Sequence, residues 1–121
     1  MKVEFEKAKG MLREILETSG ASDADIQTMV ELCVSEDLYG KLFSAFVVKE
    51  AESRLRSLEH SKDVKEEIVV DKPSLKLIDG HGRSAKLITA QVVVPLITQM
   101  AKDQGIAIIA IHNASYNGAL E

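Results

Sequence analysis

The chain has 121 residues, of which 45% are hydrophobic and 28% are charged, and its formal net charge is −4 at pH 7. This composition is typical of one soluble globular domain that is long enough to bury a core, and it argues against disorder. The acidic excess leaves no positive field for nucleic acid, and aromatic residues, at 4%, are too few for stacking on bases. We therefore expect no nucleic-acid partner.

The cysteine content and the lengths of the apolar runs indicate in which cellular compartment the protein resides. A single cysteine, Cys33, excludes an intrachain disulfide, and its place in an apolar stripe predicts a small core residue. No apolar run approaches the roughly 20 residues of a membrane span, and residues 1–10 contain no apolar signal segment. These features predict a cytoplasmic protein without a membrane partner.

The first half of the chain is predicted to be helical. Apolar residues recur on one helical face from Phe5 to Leu16, and Gly20 follows as a stop. A second stripe begins after Ser22, an expected N-cap with Asp25 three residues on, and extends to Leu38. A third helix is expected over residues 44–58. The polar segment 59–67 then indicates a linker.

The second half predicts strands around one helix. Two short strands are expected over residues 67–70 and 74–78, with Pro73 at a turn because proline cannot donate to a ladder. A helix is expected over residues 85–103, with Ser84 as N-cap and a kink at Pro95. Gly105 should stop it, and the unbroken apolar run from Ile106 to Ile111 predicts a strand covered on both faces. The predicted class is α/β (α+β), a three-helix region (1–58) before a small sheet with one crossover helix (67–121), in a single domain 1–121.

Three histidines are candidates for chemistry, and each also has an ordinary interpretation. His60 lies in the predicted linker and is expected to be exposed. His81 lies in the "DGHG" turn, where Asp79 could orient its ring. His112 ends the apolar strand, a position that often faces a ligand crevice in α/β sheets. No two histidines have metal-ligand spacing on one element, so we expect no metal site. The segment "NASYNG", residues 113–118, is either a binding loop or a plain turn.

Four blocks of the sequence resemble one enzyme family. They are "MKVEFEKAKGMLREIL", "SGASDADIQTMVELCVSEDLYG", "LIDGHGRSAKLITAQ" and "AKDQGIAIIAIHNASYNG". Their order and spacing resemble the N-terminal third of the malate/L-lactate dehydrogenase family, which includes ureidoglycolate, sulfolactate and diketogulonate reductases and has a nicotinamide-binding fold unlike the Rossmann fold. The resemblance implies hydride transfer between NAD or NADP and a small 2-keto or 2-hydroxy acid. It also implies an incomplete dehydrogenase-type domain.

At the positions of this sequence that match the family's active site, the resemblance implies that key residues are replaced. The family's proton donor is the histidine of a "SHGVxR" stretch, which here is "SAFVVK". Ser44 matches the serine, Ala45 stands at the position of the histidine, and Lys49 replaces the arginine. Lysine lacks the planar guanidinium that binds a carboxylate through two hydrogen bonds. In a gapless alignment Ser44 itself takes the histidine's place. The resemblance also implies cofactor contacts at the end of the last block, at His112, Asn113, Tyr116 and Gly118. Tyr116 stands where the family has a histidine.

Two functional hypotheses follow. In the first, the chain is an N-terminal fragment or truncated member of the NAD(P)-dependent family, inactive as it stands and binding no cofactor alone. In the second, it is a degenerate relative that serves as a homo-oligomeric, dimeric binding or assembly module, because open sheet edges favour association.

Overall fold

The computed structural model describes residues 4–39 and 55–115. The chain divides into two compact units, Met1–Lys62 and Asp63–Glu121, and this boundary falls inside the predicted linker. The first unit is helical and the second combines helices with a small sheet, which confirms the α/β class. That the two units form one domain remains a prediction.

Helices α1 (Phe5–Glu17) and α2 (Asp23–Leu38) pack together in the first unit. The predicted start of α2 is confirmed, because the hydroxyl of Ser22 accepts a hydrogen bond from the backbone N–H of Asp25 at 3.1 Å. Cys33 is fully buried, as its stripe predicts. Among the described residues of this unit, the buried apolar ones are Leu12, Leu16, Ile26, Met29, Val30, Cys33, Val34 and Leu58.

Helix α3 extends further than the sequence predicts. Its described part covers residues 55–62, whereas residues 44–54 of the predicted helix lie outside the described residues. The linker prediction is therefore wrong for residues 59–62. The reason is burial: Leu58 is fully buried and Ser61 is buried three residues later, so the helical turn that joins them belongs to the core. His60 lies on the exposed side of this turn.

Strands β1 (Glu67–Lys72) and β2 (Leu75–Asp79) form an antiparallel hairpin. Pro73 lies in the two-residue turn between them, as expected, and the ladder shifts register at Val69. Strand β3 (Ile108–His112) pairs parallel with β2, so the sheet order is β1-β2-β3. The helix between β2 and β3 therefore completes a strand–helix–strand unit.

The crossover helix is continuous but irregular. Helix α4 (Ala85–Ile88) passes through a π turn (Thr89–Val93) into helix α5 (Val94–Gln104). The wide turn precedes Pro95, which cannot bond to the carbonyl four residues back and crowds it. Gly105 ends the helix in the left-handed conformation, as predicted, and its N–H bonds to the Ala101 carbonyl at 2.9 Å. Among the described residues, no helix has the length and apolar character that crossing a membrane would require.

The sheet has one buried and one open face. Ile78 is fully buried on the first face, and the second unit buries Leu87, Ile88 and Met100 of the crossover helix as well. The open face is formed by every second residue along the strands. Its apolar members are Val70, Leu75, Leu77, Ile108 and Ala110. The prediction that the last strand is covered on both faces is therefore wrong in the described part of the chain. The residues of β3 alternate between exposed and half-buried. This is because β3 lies at the sheet edge of the described residues and only one of its faces is packed.

Candidate functional site

The carboxyl ends of β2 and β3 meet at one edge of the sheet. Asp79 ends β2, His112 ends β3, and the parallel ladder sets these two residues side by side. Because they have the same register, their side chains lie on the same face of the sheet. Ligands of open α/β sheets bind beyond the carboxyl ends of parallel strands. The strand-end position predicted for His112 is confirmed by this geometry.

The carboxylate of Asp79 connects the segments that follow the two strands. Its Oδ1 accepts a hydrogen bond from the backbone N–H of His81 at 2.8 Å and another from the side-chain amide of Asn113 at 3.0 Å. The first of these bonds, helped by the Asn113 amide, holds the pKa of Asp79 below its usual value against the opposing effect of desolvation. Asp79 is therefore ionised at neutral pH.

Two histidine rings surround this carboxylate. Nδ1 of His81 lies 3.5 Å from Asp79 Oδ1, and its Nε2 lies 3.4 Å from Oε2 of Glu67. Nε2 of His112 lies 3.8 Å from Asp79 Oδ2. Both rings are about half exposed, at 43% and 50% of their side-chain surface. We call Glu67, Asp79, His81, His112 and Asn113 the carboxyl-end cluster.

Backbone hydrogen bonds hold the turns beneath the cluster together. The N–H of Gly80 donates to the carbonyl of His112 at 2.9 Å, and that of Gly82 donates to the carbonyl of Asn113 at 2.6 Å. His81 and Asn113 have φ values of 48° and 50°, an uncommon conformation for residues with a Cβ. Such conformations persist where surrounding contacts enforce them, and they are enriched at functional sites.

A largely buried ion pair supports the loop that leads into helix α4. Arg83 donates from Nη1 to Glu66 Oε2 and from Nη2 to Gln91 Oε1, the latter at 3.0 Å. Gln91 lies in the π turn, so the irregular helix turn and the loop are tied to each other. This arrangement could not be predicted from the sequence, because the 17-residue separation of Arg83 and Glu66 follows no helical or strand period.

The chemical capacity of the cluster follows from its groups. Two imidazoles and one amide surround an ionised carboxylate, so the cluster offers hydrogen-bond donors and acceptors at an exposed surface. Two carboxylates give it a negative character when the rings are neutral. No group of three or more histidine, cysteine, aspartate or glutamate residues arranged to hold a metal ion occurs within residues 4–39 and 55–115.

The structure brings some of the predicted site residues together. His112 and Asn113 join the cluster, and the suspected pairing of His81 with Asp79 is confirmed. Ser44, Ala45, Lys49, Tyr116 and Gly118 lie outside the described residues, so their roles remain predictions. The place of Glu67 in the cluster and the bond from Asn113 to Asp79 were not predicted, because both depend on strand pairing.

Comparison with solved structures identifies the fold. The chain is similar to malate dehydrogenase from Pyrococcus horikoshii OT3, with a TM-score of 0.79 and 22% identity over 98% of this chain and 34% of that one. It is also similar to sulfolactate dehydrogenase from Methanocaldococcus jannaschii, with a TM-score of 0.77 and 21% identity over 96% of this chain and 34% of that one. Its fold is that of one third of a dehydrogenase chain.

A reductase of known structure is similar in fold as well. Δ1-Piperideine-2-carboxylate reductase from Pseudomonas syringae pv. tomato is matched with a TM-score of 0.70 and 21% identity over 94% of this chain and 34% of that one. The chain thus spans about a third of the length of the solved structures it matches. No family model and no curated protein matches the sequence. The expected resemblance to the malate/L-lactate dehydrogenase type is confirmed at the level of the fold.

Proposed function

We propose that the chain is a member of the malate/L-lactate dehydrogenase family and corresponds to the N-terminal third of such an oxidoreductase. The observation that carries the proposal is the fold, matched over 98% of this chain by a malate dehydrogenase at a TM-score of 0.79. The four sequence blocks support it independently, because they follow one another in the family's order. The reaction of the complete fold would be hydride transfer between NAD or NADP and a 2-keto or 2-hydroxy acid.

We further propose that the chain does not catalyse this reaction as it stands. The family's proton-donating histidine falls at Ala45, which has no proton to transfer, or at Ser44, whose hydroxyl is a poor general acid at neutral pH. Loss of a positioned general acid typically lowers the rate by about 10²–10⁴-fold. Lys49 could still attract a substrate carboxylate, although without the two parallel hydrogen bonds that arginine makes.

The carboxyl-end cluster does not fit a nicotinamide dinucleotide. Its pyrophosphate is anionic, whereas the carboxyl-end cluster carries the carboxylates of Asp79 and Glu67. Arg83, the one arginine among the described residues 63–115, is buried and paired with Glu66. We therefore propose that this chain alone binds neither NAD nor NADP below millimolar concentration.

Fluorescence titration of the reduced cofactors into the chain tests this proposal. We expect no saturable change at submillimolar cofactor, and no consumption of NADH or NADPH with a panel of small 2-keto acids. Ala45→His should remain inactive as well, because the two thirds of the fold not spanned by this chain would still be missing. Submillimolar affinity or keto-acid reduction by the unmodified chain would refute the proposal.

A homo-oligomeric assembly module is the second candidate function. Ile106, Ile108 and Leu75 are exposed at 65%, 55% and 40% of their surface at or beside the open face of the sheet. Apolar side chains exposed next to one another near the edge of a sheet are typical of a surface that binds a partner. Association of two copies would cover them, and a cytoplasmic location would fit the single buried cysteine.

A further inference from the structure

The dipeptide Asp79–Gly80 combines a carboxyl side chain with a following residue that has no Cβ, and no other aspartate of the chain is followed by glycine. In such a pair the backbone nitrogen of the glycine can attack the carboxyl carbon of the aspartate, because no side chain hinders the approach and the glycine backbone is permissive. An unfolded chain would therefore be chemically labile at this bond. The folded chain holds both reacting groups in place.

The nucleophile of this reaction is the backbone nitrogen of Gly80, and its N–H is engaged in the fold. It donates to the carbonyl of His112 at 2.9 Å, at the carboxyl end of the parallel β2–β3 pair. Attack on Asp79 would require this hydrogen bond to break first. The pairing of the two strands therefore withholds the nucleophile.

The carboxyl group that would be attacked is held as well. Oδ1 of Asp79 accepts hydrogen bonds from the backbone N–H of His81 at 2.8 Å and from the amide of Asn113 at 3.0 Å. These bonds keep the pKa of Asp79 below its usual value, so the neutral carboxyl form is scarce at neutral pH. The ionised form resists attack by a nitrogen lone pair, since it already carries the negative charge.

The packing around Gly80 opposes the reaction too. Its Cα is crowded by Ile88, by the carbonyl oxygen of Asn113 and by the methyl group of Ala114. Closing a ring between Asp79 and Gly80 would turn the peptide unit that joins them, and these neighbours would have to move. Because packed interiors deform little, the reaction requires a local opening of the segment.

We propose that Asp79 is a site of spontaneous covalent modification, isomerisation to isoaspartate, which the carboxyl-end cluster suppresses while it stays closed. The nitrogen of Gly80 forms a bond to Cγ of Asp79, and its proton leaves with the hydroxyl of the neutral carboxyl group as water. The cyclic imide then takes up water at either carbonyl carbon, which restores aspartate or gives isoaspartate, and no electrons are gained or lost. Neither the dehydrogenase function nor the assembly function is required for this reaction.

Isomerisation would dismantle the cluster from which it started. In isoaspartate the main chain passes through Cγ, so the backbone gains a methylene group before Gly80 and the free carboxylate lies on Cα. The acceptor of the His81 and Asn113 hydrogen bonds is thereby displaced, and the pairing of Asp79 with His112 at the end of the ladder is lost. A transient opening of the strand ends would thus become a permanent one.

Incubation of the full chain in heavy-oxygen water at neutral pH measures the reaction, because hydrolysis of the imide leaves a heavy oxygen in both products. Tryptic digestion in ordinary water, with cleavage after Lys76 and Arg83, then isolates Asp79 in the peptide 77–83 for mass spectrometry. We expect labelling to be slower by roughly tenfold or more in the folded chain than in concentrated guanidinium chloride. Equal rates, or no label in the unfolded chain, would overturn the proposal.

Asn113→Gly tests the role of the cluster. Glycine tolerates the φ of 50° at this position, whereas the amide that donates to Asp79 is removed. Since hydrogen bonds to charged groups are the stronger ones, we expect labelling of the folded variant to be about tenfold faster. Gln99→Ala is the matched control, because it removes an amide-to-carboxylate bond of 2.9 Å, to Asp103, in the same unit.

The control variant should label Asp79 at the rate of the unmodified chain. An unchanged rate in Asn113→Gly, or an equal acceleration in Gln99→Ala, would overturn the proposal. Circular dichroism of both variants verifies that they are folded during the incubation. The comparison of folded with unfolded unmodified chain needs no variant, so it decides the matter even where Asn113→Gly does not fold.

Discussion

Gly80 and Ala114 approach each other so closely that a Cβ on Gly80 would lie 2.8 Å from the Cβ of Ala114. The same added atom would lie 3.0 Å from the Asn113 carbonyl oxygen and 3.0 Å from Cδ1 of Ile88. Since two of these contacts come from the segment that follows β3, a glycine at this position lets the chain after β2 pass directly against it. The carboxyl-end cluster depends on this close approach.

Gly80→Ala should therefore destabilise the second unit. Overpacking of this kind typically costs about 1–3 kcal/mol, and here neither the backbone nor the adjacent methyl group can move out of the way cheaply. Urea unfolding followed by circular dichroism measures the change. Gly10→Ala is the control: it lies in helix α1 with no atom within 4 Å of its added Cβ and should stabilise the chain by about 0.5–1 kcal/mol. Equal stability of the unmodified chain and Gly80→Ala would contradict the observed packing.

Asp79 should make stability depend on pH under acidic conditions. Its pKa in the folded chain is held below the ordinary value of 3.8 by the hydrogen bond from the His81 backbone, the Asn113 amide and the nearby imidazoles. A lowered folded pKa means that the unfolded chain binds the proton more tightly. The stabilisation from ionised Asp79 is therefore complete above the ordinary value and is lost as the pH falls through the lowered pKa.

Asp79→Asn should remove this contribution and flatten the acidic limb of the stability profile. Urea midpoints measured at neutral pH and in steps below pH 4 would reveal the difference between the two chains. Asp63→Asn, at an exposed turn residue after helix α3, is the matched control and should leave the limb as it is. If Asp79→Asn loses stability below pH 4 as steeply as the unmodified chain, the carboxylate does not hold the strand ends.

Local signals in the sequence predicted the elements that local interactions determine. Ser22 as a helix start, Gly105 as a helix end and Pro73 as a turn residue were correct because each position depends on neighbouring backbone groups. The last strand was correctly identified as a strand. Its predicted cover was wrong, since an unbroken apolar run does not reveal which neighbours a strand has.

The contacts that build the candidate site depend on pairing between distant segments. Asn113 reaches Asp79 across 34 residues only because β2 and β3 pair in parallel. The spacing of Asp79 and His81 in "DGHG" was a usable local signal, and the structure confirms their proximity. No such signal could identify Glu67 as the second neighbour of His81, because the hairpin register decides it.

Ser22→Ala should destabilise the first unit by about 1 kcal/mol, because the backbone N–H of Asp25 would lose its partner at the start of α2. Ser22→Gly should cost only a few tenths of a kcal/mol, since glycine leaves the orphan donor accessible to water. Urea unfolding of the two variants compares these effects. If neither substitution changes the free energy of unfolding, the Ser22 cap does not stabilise helix α2.

Arg83→Met should destabilise the second unit by leaving the carboxylate of Glu66 without its guanidinium. Breaking one side of a buried ion pair costs about 3–5 kcal/mol, and because 18% of the Glu66 side chain still reaches water we expect about 2–3 kcal/mol. The double variant Arg83→Met with Glu66→Leu should recover much of this loss, since no charge then remains to be desolvated. Urea unfolding of both single variants and the double variant closes the thermodynamic cycle. Additive losses would mean that the two side chains do not interact energetically, and that the loop before α4 is held by the remaining bonds of its backbone.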